Sequence, residues 1–100
     1  MVEVPDKVMA LAREAARIVR REVASDARVV LFGSWAKGTA VPRSDLDLAV
    51  GTGAPIRPAS LARAEAGFEA LRTLRRIDLV DLEAAGADLR AEILAHGIEL

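Results

Sequence analysis

Two short apolar runs and the residues between them most narrow the folds open to this chain. Val29 to Phe32 is a β-branched and apolar run that stops at Gly33-Ser34. Ten residues later, Leu46, Leu48 and Val50 alternate with Asp45, Asp47 and Ala49. The first run, too short for a helix and bounded by glycine, reads as a strand buried on both faces. The second has a period of two and reads as a strand with one face toward the core. Strands this short need helices to cover them.

The remaining sequence supplies those helices. From Pro5 to about Ser25, Val8, Leu11, Ala15, Ile18, Val19 and Val23 recur at helical spacing, with Arg13, Arg17, Arg20 and Arg21 on the other side as a solvated face. Pro5 suits a first helical turn, and Asp6 complements the dipole there. Gly51 to Pro58, with two glycines and two prolines, reads as a loop and as the place where order is weakest. Leu61, Ala64, Phe68 and Leu71 outline a second helix, in which Gly67 is a weak point. Arg76 to Leu82 reads as a third strand. Asp88 to Ala95 reads as a short last helix ended by Gly97. No repeat, low-complexity tract or linker divides the chain. The expected architecture is α/β (α+β): one mixed sheet against helices, a single domain spanning residues 1–100.

Composition removes several function classes. With 52% apolar and 29% charged residues, the chain is expected to be soluble and globular. It contains no cysteine, which excludes disulfides and thiolate chemistry and fits the cytoplasm. One histidine and no cysteine leave a zinc site without a basis. No apolar run approaches the roughly 18 residues of a membrane span, so no membrane partner is expected. A formal net charge of −1 argues against DNA or RNA coating.

The aspartates supply the chemistry. Side chains alternate across a strand, so Asp45 and Asp47 share one face, with backbone positions ~6.6–7 Å apart. Like charges so placed favour a cation between them. An all-oxygen donor set suits magnesium, which typically takes one or two carboxylates and fills its shell with phosphate and water oxygens. An isolated Asp-X-Asp is more often only the polar face of a half-exposed strand. Here it follows Gly33-Ser34, where glycine admits a bulky anion close to the backbone and a following helical turn offers free N–H groups. A third carboxylate is available from Asp78 or Asp81. These two lie three residues apart, so on a regular strand they face opposite sides and only one joins the site.

Gly33-Ser34, ten residues, then Asp45-X-Asp47 resembles the signature of the polymerase-beta-type nucleotidyltransferase superfamily. With Ala36, Gly38, Ser44 and Leu48, the pattern resembles the minimal nucleotidyltransferase (MNT) group, short proteins often found as antitoxins of HEPN-domain ribonucleases. The resemblance runs on through Ile77–Leu82 and Ile93-Leu94-X-X-Gly97-Ile98. It implies a small nucleotidyltransferase-type fold that uses ATP and two magnesium ions. Gly33 and Ser34 would hold the triphosphate, joined by Lys37 and Ser44. Asp45 and Asp47 would bind metal, and Asp78, which the family pattern selects over Asp81, would be the third catalytic and metal-binding carboxylate. Asp81 is then expected to be a solvated residue near the strand end.

Other residues carry less. Lys37 and Arg43 flank the phosphate turn, where cations offset phosphate charge or are simply solvated. Trp35 stands where the family often has arginine or an aromatic; it is either a core plug or, on the favoured reading, an exposed contact. His96, near a helix end, suits a dipole or capping role. Three functions are compatible with this set. The first is transfer of AMP from ATP to a hydroxyl, which the resemblance assigns to a tyrosine of a partner HEPN toxin in a hetero-oligomer. The second is an antitoxin that works by binding alone. The third is small-molecule nucleotidyl transfer, which typically needs a second domain to shape the acceptor pocket.

Overall fold

The computed structural model describes residues 2–100. Eight elements follow the order α1 (Asp6–Glu22), β1 (Arg28–Phe32), α2 (Ser34–Lys37), β2 (Leu46–Gly51), α3 (Pro58–Phe68), β3 (Ile77–Asp81), α4 (Ala87–His96) and β4 (Ile98–Glu99). The sheet order is β3-β2-β1-β4. β1 runs antiparallel to both neighbours, and β2 pairs with β3 in parallel, so the sheet is mixed as expected.

Both faces of the sheet are covered, by different elements. Val29 and Leu31 of β1 and Leu46, Leu48 and Val50 of β2 pack against Val8, Ala12, Ala15 and Val19 of α1 and Ala64 and Phe68 of α3. On the reverse, Val30, Phe32 and Ala49 pack with Leu82 and with Ile93 of α4. That second layer buries Ala49, which alternation alone assigns to a polar face. It also explains why β1 is a continuous apolar run: each of its two faces meets a core.

The helices close tightly on one another. A side-chain Cβ on Gly67 of α3 would come within 2.7 Å of Ile18 Cγ2 on α1. Gly67 is therefore the close-approach point between the two helices rather than a weakness. α1 starts after Pro5, which precedes its first turn with φ −53° and ψ 143°. Its last turns hold a further departure from expectation. Arg20 is not part of a purely solvated face, because its guanidinium donates to the Ala27 carbonyl at 3.0 Å and the Leu100 carbonyl at 2.8 Å. It thereby ties α1 to the start of β1 and to the end of the chain.

The loop Thr52–Arg57 is anchored. The Asp81 carboxylate accepts the Ile56 N–H at 2.9 Å and the Glu83 N–H at 3.0 Å. Asp81 is only 9% exposed, so the solvated strand-end residue expected from the sequence is a buried brace between two loops. The two-residue β4 was not foreseen, since so short a segment has no periodicity to read.

Candidate active site

The site forms where β1 ends and β2 and β3 begin. β1 delivers Gly33, whose φ of 76° and ψ of −151° fall in a region open essentially to glycine alone. The same glycine clears space, since a Cβ there would collide with the Asp47 carboxylate. One residue thus lets the chain turn from strand into α2 and lets a β2 carboxylate lie against that turn. Ser34 opens α2. Lys37 N–H bonds Gly33 C=O and Thr39 N–H bonds Ser34 C=O. The first amides of such a turn lack intrahelical partners and can face an anion.

Asp47 and Asp78 are register partners on the parallel strands β2 and β3, and Asp47 also pairs with Phe32 at the end of β1. Residues in register on adjacent strands point to the same face, so the two carboxylates stand side by side. The face is the α4 side, because Ala49 and Val80, two residues further along each strand, belong to the core there. Asp81 is an odd number of residues from Asp78 and falls on the other face, bonded to the loop before α3. Parity thus excludes Asp81 from the site. Asp45 lies one residue before β2 and is exposed.

Electrostatics show that these groups form one cluster. The Asp47 carboxyl is raised above its ordinary value, first by burial and then by the charges of Asp78, Asp45 and Glu92. Glu92, on α4, is a site-facing residue that the sequence reading missed; a glutamate on a short helix has no local signal. It pairs with Lys37 of α2, and that bond holds the Glu92 carboxyl below its ordinary range. Arg76 Nε donates to Asp78 Oδ1 at 2.9 Å.

The expected phosphate contacts divide. Lys37 sits beside the turn but is engaged by Glu92. The Ser44 hydroxyl accepts the Val41 N–H at 2.9 Å, which leaves its own proton free to donate. Trp35 is half-buried against the core, and its Nε1–H donates to the Ser44 carbonyl at 3.2 Å. The exposed contact favoured from sequence is therefore replaced by an internal strut. His96 is in the last turn of α4, one turn beyond Glu92, and favours the Glu92 anion.

The residues present fit a divalent cation by donor chemistry: all are oxygen donors, and Asp47 carries charge that its surroundings do not neutralise. Among the described residues, no three acidic or imidazole side chains stand close enough to form a ready cage. Two roomy clefts of about 600 and 730 Å³ lie along the segment leading into β3, lined by residues such as Phe68, Leu71 and Thr73 or Pro42 and Leu74. Asp45, Asp47 and Asp78 line neither.

A glycine-serine turn stands at a central strand's end and faces register-paired aspartates on the next two strands, the arrangement expected of a nucleotidyltransferase. The chain belongs to the polymerase beta nucleotidyltransferase family, whose model matches residues 18–100. No curated protein sequence matches significantly. Among solved structures, a toxin–antitoxin complex with AMP-PNP is similar at 26% identity and TM-score 0.71, over 88% of this chain and 70% of that one. A candidate minimal nucleotidyltransferase is 30% identical with TM-score 0.62, over 94% of this chain and 89% of that one. A Shewanella oneidensis complex of MNT antitoxin with tri-AMPylated HEPN toxin shares the fold at 20% identity and TM-score 0.69, over 92% of this chain and 70% of that one.

Proposed function

We propose that this nucleotidyltransferase moves AMP from ATP to a tyrosine hydroxyl of a partner HEPN-domain ribonuclease, silencing it as an antitoxin in the cytoplasm. The observation that carries the reading is the register pairing of Asp47 with Asp78 beside a Gly33 turn that packs on Asp47. Nucleotide use is supported by the AMP-PNP in the toxin–antitoxin neighbour. The choice of acceptor is motivated by the AMPylated toxin of the Shewanella complex. Asp45, Asp47 and Asp78 all being present favours catalysis over binding alone.

In the reaction, the acceptor oxygen bonds to the α-phosphorus of ATP and the bond from that phosphorus to the bridging oxygen breaks. Pyrophosphate leaves with the electron pair, and the hydroxyl proton passes to a carboxylate of the cluster or to water. The Gly33–Ser34 turn and its free amides hold the triphosphate, while Lys37, exchanging Glu92 for phosphate, offsets negative charge at its edge. Magnesium, held by Asp45 and Asp47 and a second ion also by Asp78, would supply charge neutralisation at the reacting phosphate. Asp78 must exchange Arg76 for that role. With Asp45 exposed and Asp78 on an edge strand, the acceptor needs a second molecule to enclose it.

The test is intact-mass analysis of a HEPN-domain ribonuclease, sought in the reading frame beside this gene, after incubation with this chain, ATP and magnesium. Added AMP units on a tyrosine, with loss of ribonuclease activity, are expected. A ribonuclease that is inhibited yet unmodified would establish the binding-only antitoxin. Rapid modification of free small molecules by the chain alone would establish the third function.

A further inference from the structure

Three segments carry the site, and they are joined immediately outside it by one small cluster. Trp35 follows Ser34 of the phosphate turn, Ser44 precedes Asp45, and Arg75 lies three residues before Asp78. One terminal nitrogen of Arg75 donates to the Ser44 carbonyl at 2.6 Å and the Pro42 carbonyl at 3.0 Å. The Arg75 guanidinium also stands 5.0 Å from the centre of the Trp35 ring. Trp35 Nε1–H donates to the same Ser44 carbonyl at 3.2 Å. Directly beyond this knot the β2–β3 ladder begins, with Leu46 N–H bonded to Arg76 C=O at 2.9 Å.

We propose that Arg75, stacked on Trp35 and bonded to the Ser44 carbonyl, is a positioning residue for nucleotidyl transfer. It holds the phosphate turn, Asp45 and Asp78 at their working separations. The inference rests on the nucleotidyl-transfer reading above. The physical reason is that Asp45 lies outside the regular strand, so no ladder hydrogen bond fixes it. Its place is set by the loop that precedes it, and that loop is held at its carbonyls by Arg75. A planar guanidinium can stack on indole and donate in its own plane at once, whereas an ammonium can donate but stacks less well. Displacement of a reacting group by about 1 Å can cost on the order of a hundredfold in rate. Arg75 touches no reacting atom and acts only through Ser44 and Trp35.

The test compares Arg75→Met, Arg75→Lys and Trp35→Phe with wild type in two measurements. The first is steady-state AMP transfer from magnesium-ATP to the partner ribonuclease. The second is calorimetric binding of manganese with AMP-PNP. Arg75→Met should lower kcat by roughly ten- to a hundredfold while KM for ATP changes less than about threefold. Arg75→Lys should restore part of kcat, and Trp35→Phe, which keeps a ring but loses the N–H donor, should fall between wild type and Arg75→Met. All three should weaken manganese–AMP-PNP binding measurably but by no more than about threefold, in line with the small change in KM, and Arg75→Met most. A purely structural role would lower the unfolding temperature and leave kcat, KM and binding unchanged in the folded population. If Arg75→Met does not fold, wild-type kcat in both Arg75→Lys and Trp35→Phe overturns the proposal. If wild type transfers no AMP, the function proposed above fails. Binding then decides the positioning role, and unchanged affinity across the variants overturns it.

Discussion

At the scale of single residues, Asp47 is in tension with the fold it serves. Burial and three neighbouring carboxylates raise its pKa, so its charged form opposes folding. A raised acid contributes stability that is complete below the ordinary aspartate range of about 4 and is lost as pH rises through its own higher value. Above that value the metal-free protein carries the penalty in full. Asp47→Asn should raise the unfolding temperature of the metal-free protein near pH 7, and the gain should shrink as pH falls toward 4. The exposed Asp45→Asn should change it less. Both variants should lose magnesium-ATP binding by calorimetry; unchanged affinity in both would remove the metal-site assignment.

At the scale of elements, two contacts decide how the helices and loops close. Gly67→Ala would drive a methyl group into Ile18 and push α3 away from α1. Overpacking of this kind typically costs about 1–3 kcal/mol, even though alanine is the better helix former. Urea unfolding measures it, and a stabilised variant would show that α3 shifts freely. Asp81→Asn removes one of the two acceptor oxygens that bind the Ile56 and Glu83 amides. Leaving one half-buried amide unpaired should destabilise by about 1 kcal/mol, with faster hydrogen exchange at one of these two amides. Catalysis in the folded fraction should persist, because Asp81 faces away from the site.

At the scale of the whole molecule, binding and chemistry should separate at Asp78. A third carboxylate matters more to the transition state than to ground-state binding. Asp78→Asn should therefore leave ATP affinity and partner association nearly intact, by calorimetry and gel filtration, while abolishing AMP transfer. Loss of the partner complex in this variant would instead make Asp78 an interface residue. The Thr52–Arg57 loop lies at the opposite end of β2 from the aspartates. It is poorly placed to enclose an acceptor.

Local sequence determined the parts of this protein that depend on period and parity. Four apolar residues in a row defined β1, alternation put Asp47 on the face opposite Leu46 and Leu48, and three-residue spacing separated Asp78 from Asp81. Gly33 was legible because a strand that turns at once into a helical segment favours a residue without a side chain. Tertiary structure alone decided what depends on elements distant in the chain. Asp81 is solvated or buried according to whether a loop 25 residues upstream folds over it. Trp35 is a strut because Ser44 and Arg75 come to meet it. Glu92 enters the site because α4 packs on the face that carries Asp47. A sequence pattern specifies which way a side chain points along its own element. Which carbonyl, cation or carboxylate it meets depends on the packing of the other elements.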